Sequence, residues 1–105
     1  MLPSSILYGA IHSNGEIDTQ YMSSGLSKFT ITHIDGHYNF KLKEGRYQTR
    51  PIVLIQQYDV SGGNFTNISK VTWSSDNTTF AVIFVDPNDP KISRLTAFQV
   101  AIIGG

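Results

Sequence analysis

The stretch KFTITHIDGHYNFKL, Lys28 to Leu42, decides the fold because it has the pattern of a complete β-hairpin. Asp35-Gly36 is a preferred two-residue hairpin loop, since a type I′ turn needs positive φ at both central positions. This loop pairs Ile34 with His37 and Phe29 with Leu42. One face then carries Phe29, Ile31, His33, Tyr38, Phe40 and Leu42, and the other carries Thr30, Thr32, Ile34, His37, Asn39 and Lys41. The hairpin is therefore predicted to bury its first face in a core and to keep its second face wet.

The rest of the chain also has the periodicity of strands. No window shows helical spacing over three turns, and short β-branched and aromatic runs alternate with Gly, Asn, Asp, Ser and Pro clusters. Strands are predicted near residues 6–11, 28–34, 37–42, 51–59, 68–74, 79–86 and 94–103. A chain of 105 residues is expected to form one domain. The prediction is a single all-β domain over 1–105, an antiparallel β-sandwich of jelly-roll type with about six to eight strands.

The composition restricts the partners that this chain can have. Eight Lys and Arg balance eight Asp and Glu, and no block of like charge is present, which argues against nucleic acid and against an anionic membrane surface. Only 15% of residues are charged, against about 25% in an average domain, so part of the surface is expected to be buried against another chain. The chain has no cysteine, so disulfides and thiolate chemistry are excluded.

The first residues, MLPSSILYGAIHS, contain no basic segment and no long apolar run. They are expected to be neither a signal peptide nor a membrane anchor. We therefore expect a chain that is cytoplasmic as synthesised, or that becomes secreted, surface-exposed or virion-associated by a route without a cleaved signal.

Three predicted strands are apolar on both faces, although a strand of a small sandwich normally has one polar face towards water. They are PIVLI (51–55), FAVIFV (80–85) and AFQVAII (97–103). Parallel sheets explain such runs, but they need crossover helices that this pattern lacks. The remaining explanation is that another copy of the chain covers the second apolar face. The predicted assembly is a homo-oligomer, most simply a trimer around an axis, and a hexamer is also open. The residues predicted to face the partner are Val53, Ile55, Ile83, Val85 and Ile102.

Four motifs follow one another over nearly the whole chain: YGAIHSNGEI, SSGLSKFTITHIDGHYNFKL, RPIVLI and FQVAIIGG. Their order resembles a small module of phage tail fibres and bacterial surface or secreted proteins. The motifs consist of core and turn residues, so the resemblance implies a fold and not a ligand.

The C-terminal half is similar to the H-type lectins, through RPIVLIQQYDV and a later strand led by Phe80. That resemblance implies a six-stranded sandwich assembled as a trimer or hexamer. It also implies binding of N-acetylgalactosamine-type sugars between protomers, through an Arg and a Trp-His pair. This chain has Asn67 at the Arg position and Asp86-Pro87 at the Trp-His position. The similarity therefore implies the scaffold without that particular sugar site.

Candidate ligand-binding residues are those that suit sugar hydroxyls and pyranose rings. An aromatic surface with Asp, Asn and Arg nearby is typical of such sites. The candidates are Arg50, Tyr58, Asp59, Asn64, Asn67 and Trp73, with Tyr47 as a further possibility. Trp73 has two interpretations, a core residue or an aromatic platform against a sugar ring.

No catalytic, metal or cofactor site is predicted. The hairpin places His33 and His37 on opposite faces, so they do not form a zinc pair with each other. A metal shared by one histidine from each protomer, with His12 as another candidate, stays open. No serine lies in a strained Gly-x-Ser-x-Gly turn, and the carboxylates lie in or beside predicted turns. The chain is therefore not expected to be an enzyme.

These observations favour a lectin-like carbohydrate-binding or receptor-recognition module that acts as a multivalent oligomer. The alternative is a structural trimerisation or capping domain of a fibre or secreted assembly.

Overall fold

The computed structural model describes residues 6–34, 36–58, 68–93 and 95–104, and within them the protein is an antiparallel β-sandwich, which confirms the predicted fold class. The strands are β1 (Ile6–Ile11), β2 (Phe29–Ile34), β3 (His37–Leu42), β4 (Ile52–Gln57), β5 (Ile68–Trp73), β6 (Thr79–Asp86), β7 (Asp89–Ser93) and β8 (Phe98–Ile103). A 3₁₀ turn, Leu26–Lys28, precedes β2. The described residues include no helix long and apolar enough to cross a membrane.

The strands form two sheets. The larger sheet has the order β2-β3-β6-β5, with β7 paired to the far end of β6. The smaller sheet has the order β1-β8-β4, so strands from both ends of the chain meet around β8. All pairs are antiparallel.

The β2–β3 hairpin has the register predicted from the sequence, from Ile34 opposite His37 to Phe29 opposite Leu42. Gly36 has a φ of 78°, a left-handed conformation that glycine adopts without steric cost. Asp35, the other residue of the predicted loop, lies outside the described residues. Ser93 of β7 lies so close to Gly36 that a Cβ there would come within 2.6 Å of the Ser93 Cβ.

The predicted strand at 94–103 is wrong at its start, because β7 ends at Ser93 and β8 begins at Phe98. The chain instead reverses directly after β6. The carboxylate of Asp86 accepts a hydrogen bond from the backbone N–H of Asn88 at 2.8 Å, and this Asx turn lets β7 pair back onto β6.

An aromatic layer joins the two sheets. Phe98 of the smaller sheet has its ring centroid 5.0 Å from that of Tyr38 and 5.2 Å from that of Phe84, both in the larger sheet. Phe40 stacks on Phe80 with centroids 4.6 Å apart and ring planes 8° apart. All five side chains are fully buried.

The strand registers show which side of the smaller sheet faces this layer. The inward rows are Leu7–Ile102–Val53 and Gly9–Val100–Ile55. The outward rows are Ile6–Ile103–Ile52 and Tyr8–Ala101–Leu54. These last six residues, which we name the outer apolar face, include Ile52 and Leu54 with 60% and 54% of their surface exposed.

The prediction that Val53, Ile55 and Ile102 face a partner chain is therefore wrong. Ile102 is fully buried, and Val53 and Ile55 pack against the core cluster. An all-apolar run carries no alternation, so the sequence could not show which alternate set points inward.

The other two predicted partner-facing residues lie in the larger sheet. Ile83 is half-buried and faces away from the core, because its neighbours Val82 and Phe84 point inward. Val85 is on the same outward side but is only 7% exposed in the single chain. Burial already removes most of the Val85 side chain from any external contact.

Replacing Phe40 tests the aromatic layer. We expect Phe40→Ala to lower the free energy of unfolding by about 3–5 kcal/mol, because the lost ring leaves a cavity between Phe80, Phe29 and Phe98. Urea denaturation measures the loss. The neighbouring exposed Lys41→Ala should change it by less than about 0.5 kcal/mol. A similar small loss in both variants would contradict this packing.

Candidate functional site

A cavity of about 550 Å³ opens at one end of the sandwich, and we name it the end cavity. Its residues come from the start of β1, the 3₁₀ turn, the end of β3 and the loop that follows. They are Leu7, Ser27, Lys28, Leu42, Lys43, Glu44, Gly45, Arg46 and Tyr47. Leu7 is buried and Tyr47 half-buried, whereas Lys28, Lys43 and Arg46 are exposed. The cavity thus combines an apolar inner part with a charged outer part.

Three cations share this cavity with a single carboxylate, that of Glu44. The backbone N–H of Lys43 donates to the carbonyl of Lys28 at 2.9 Å, so the two lysines lie opposite each other. Among the described residues, neither lysine nor Arg46 forms an ion pair. Like charges opposite each other destabilise a strand pair, and a bound anion would relieve this repulsion.

The loop that carries Lys43 and Arg46 needs a glycine. Gly45 has a φ of 71°, and a Cβ added there would meet no atom within 4 Å. The backbone conformation, and not a lack of space, therefore requires glycine at this position.

Tyr47 is held in place by the β5–β6 turn. Its backbone N–H donates to the carbonyl of Asn77 at 3.1 Å, and its carbonyl accepts from the Asn77 side-chain amide at 3.2 Å. The ring meets the Trp73 indole edge-on, with centroids 5.8 Å apart. Burial raises the pKa of the Tyr47 hydroxyl, so it stays protonated.

Two predicted site residues, Trp73 and Arg50, lie beside the end cavity and support it. Trp73 is half-buried and packs on Phe80, with centroids 5.1 Å apart, so it backs the Tyr47 ring as part of the core edge. The guanidinium of Arg50 donates from Nε to Asn77 Oδ1 at 2.8 Å and from Nη2 to the Ser74 carbonyl at 3.2 Å. Trp73 therefore contacts Tyr47 directly, and Arg50 acts on Tyr47 through Asn77.

The turn beneath Arg50 depends on one carboxylate. Asp76 Oδ1 accepts hydrogen bonds from Ser74 Oγ at 2.7 Å and from Thr78 Oγ1 at 2.7 Å. These bonds lower the pKa of Asp76 from 3.8 to about 2. The next residue, Asn77, has a φ of 59° in the left-handed region. The ionised carboxylate thus helps to fix the unusual conformation from which Asn77 holds Tyr47 and Arg50.

Tyr58, another predicted site residue, lies at the opposite end of β4. Its hydroxyl donates to Asp18 Oδ2 at 2.9 Å, and its ring contacts Tyr21 with centroids 5.0 Å apart. Burial and the Asp18 carboxylate raise the pKa of Tyr58, so its hydroxyl remains a donor. Asp18 is only 5% exposed, and the Gln20 backbone N–H lowers its pKa. This cluster fastens the loop before Ser24 to the smaller sheet.

The structure describes only some of the remaining candidate residues. Asp59, Asn64 and Asn67 lie outside the described residues. His12 approaches Asp18 at 3.7 Å, and His33 stacks on Tyr38 with centroids 6.2 Å apart. Over the ranges that the structure describes, no three or more His, Cys, Asp or Glu side chains group as metal ligands do.

A second, shallower cavity of about 480 Å³ lies on the smaller sheet near Tyr21. Its lining consists of Tyr8, Gly9, Gln20, Tyr21, Met22, Gln99 and Val100. It contains no charged side chain and therefore offers less to a polar ligand than the end cavity.

The sequence prediction missed Lys28, Lys43 and Arg46. A signal for two of them was present, because the predicted hairpin register, extended by one pair beyond Phe29 and Leu42, places Lys28 opposite Lys43. The third could not be found this way, since Arg46 follows the hairpin in a loop.

The dependence of the β5–β6 turn on Asp76 predicts a pH effect. A carboxyl group whose pKa falls on folding stabilises the folded state above its unfolded pKa of 3.8, and this contribution is lost as the pH falls towards 2. At neutral pH, the wild type should therefore have a higher urea midpoint of unfolding than Asp76→Asn. The difference should shrink between about pH 4 and pH 2. A difference that is constant over this range would contradict the proposed role of the ionised carboxylate.

Comparison with known proteins does not assign a family: no family model, no curated protein and no solved structure matches the chain. The resemblances noted from the sequence remain predictions, and the function is argued from the geometry of the end cavity.

Proposed function

We propose that this domain is a carbohydrate-recognition module that binds carboxylated sugars in the end cavity. The observation that carries the proposal is the arrangement of Lys28, Lys43 and Arg46, without described ion-pair partners, around an apolar recess lined by Tyr47. The chain has only eight Lys and Arg in total, so three at one cavity is a strong local concentration.

The cavity has groups that suit both the carboxylate and the ring of such a sugar. A guanidinium can bind a carboxylate through two parallel hydrogen bonds, and lysine ammonium groups add charge attraction. The ring of Tyr47 and the side chains of Leu7 and Leu42 offer apolar surface to the C–H face of a pyranose. Pockets for small ligands typically have volumes of about 300–1,000 Å³, so a cavity of about 550 Å³ suits one or two sugar units.

The location of the cavity also suits recognition of glycans on a larger surface. It lies at an end of the sandwich, where loops joined to rigid strands commonly carry binding residues. Exposed cations give modest energies, so a single site is expected to be weak. Display of several copies would raise the effective affinity without any new contact.

Calorimetric titration with N-acetylneuraminic acid tests the proposal. We expect binding that weakens with added salt, because exposed charges are screened. Arg46→Gln should weaken it about three- to tenfold, since the loss of an ionic hydrogen bond at an exposed site costs about 0.7–1.4 kcal/mol. Lys70→Gln, at an exposed position of β5 outside the cavity, is the matched control and should bind like wild type.

Ligand controls separate the sugar from its charge. Galactose lacks the carboxylate and should bind much more weakly, whereas acetate lacks the ring and should not compete at equal concentration. Competition by acetate as strong as by the acidic sugar would show a simple anion site and contradict sugar recognition. Absence of binding by N-acetylneuraminic and glucuronic acids alike would also contradict the proposal.

A second candidate function, a structural assembly domain of a fibre or secreted complex, is favoured by the outer apolar face. Ile6, Ile52 and Leu54 are each more than half exposed, and such contiguous apolar surface commonly marks a protein interface. Light scattering should then give a mass above the 11.6 kDa of one chain. Leu54→Lys should reduce that mass, and Thr32→Lys on the exposed face of β2 should not. A wild-type monomer at all concentrations would contradict this function.

A further inference from the structure

The two edges of the smaller sheet are protected differently. At the β1 edge, the chain folds back and forms bridges between Tyr8 and Ser24 and between Ile11 and Ile17. At the other edge, β4 pairs only with β8 among the strands of the described residues. In the middle of β4, at Val53 and Ile55, this edge therefore presents backbone groups that no described strand takes up.

The register identifies these groups. The Tyr58 N–H donates to the Ala97 carbonyl at 3.3 Å, continuing the β4–β8 ladder by one pair. In an antiparallel ladder, alternate residues bond to the same neighbour, so Leu54 and Ile52 also bond towards β8. The N–H and C=O groups of Val53 and Ile55 consequently point away from β8 along the open edge.

The side chains of β4 do nothing to discourage pairing at this edge. Natural sheets usually protect an open edge with a charge, a proline or a bulge. The segment Ile52–Gln57, IVLIQQ, contains no charged residue and no proline, and its register with β8 has no bulge. Its outward residues Ile52 and Leu54 are exposed and apolar.

We propose that β4 pairs antiparallel with β4 of a second copy of this chain, around a two-fold axis at Leu54. In this register Val53 exchanges backbone hydrogen bonds with Ile55 of the second copy, which satisfies the open groups in both chains. Leu54 lies directly opposite Leu54 of the second copy. The two smaller sheets become one six-stranded sheet.

A second copy fits this edge for two reasons found in the chain itself. A two-fold axis perpendicular to the sheet keeps inward residues with inward ones, so both cores stay closed and the outer apolar faces join. The formal net charge of zero gives no long-range repulsion between copies. A two-fold contact is also closed, so it yields a dimer and not a filament.

This inference deepens the second candidate function by naming its interface, and it does not depend on what the end cavity binds. No residue that lines the end cavity belongs to β4. Pairing would therefore place two end cavities on one particle, the multivalency that weak glycan sites need.

A single introduced cysteine tests the pairing, because the chain has no cysteine of its own. Leu54 would form a non-hydrogen-bonded pair with its copy, with Cα atoms about 4.5 Å apart, within the range for a disulfide. Leu54→Cys should therefore oxidise to a product of twice the 11.6 kDa chain mass. Ile52→Cys is the matched control, because the two Ile52 positions would lie about 14 Å apart, too far for a disulfide.

Each outcome of the cross-linking experiment supports or contradicts the proposed β4 pairing. Rapid cross-linking of Leu54→Cys without cross-linking of Ile52→Cys supports the pairing and its register. Equal cross-linking of both variants, or of neither, overturns it. A wild-type oligomer whose Leu54→Cys variant does not cross-link would retain the assembly function and refute this interface. A wild-type monomer would refute both.

Discussion

The contact of Phe98 with Tyr38, Phe40 and Phe84 is the interaction on which the rest of the structure depends. Phe98 belongs to the central strand of the smaller sheet, and the three other rings belong to the larger sheet. Because side chains alternate along a strand, burying Phe98 also sends Val100 and Ile102 inward. The registers with β1 and β4 extend this choice across the sheet. One buried ring thus leaves Ile6, Ile52 and Leu54 on the outside.

The sequence predicted those elements in which local chemistry and side-chain pattern agree. In the β2–β3 hairpin, the Asp35-Gly36 loop and the alternation of residues 29–42 point to one register, and the structure has it. In residues 51–55 and 97–103 nearly every side chain is apolar, so period-two alternation is absent. The inward set is then chosen by tertiary packing. That is why Val53, Ile55 and Ile102 were predicted to be outside and lie inside.

The candidate site was predictable only in part for a geometric reason. Arg50 and Tyr58 lie at opposite ends of β4. The six residues of this strand span about 20 Å, so the two side chains have different neighbours. Arg50 and Trp73 meet through Asn77 and Tyr47, a contact between segments far apart in sequence that no local motif announces. The cations of the end cavity come from the 3₁₀ turn and the loop after β3. Their convergence depends on the whole sandwich.

These features form one chain of contacts. The Asp76 turn holds Asn77, Asn77 holds Tyr47 and Arg50, and Tyr47 forms one side of a cavity whose cations lack described partners. The trimer, inferred from strands that are apolar on both faces, stays a prediction, but three of its expected contact residues, Val53, Ile55 and Ile102, face the core. The open edge of β4 offers a different contact, between two copies.

An amide chemical-shift titration with N-acetylneuraminic acid tests sugar recognition in the end cavity most directly. We expect saturable shifts confined to the backbone of Ser27–Lys28 and Lys43–Tyr47, with smaller changes at Asn77, which contacts Tyr47. Shifts concentrated around Tyr58 and Tyr21, or no saturable shifts at all, would contradict it.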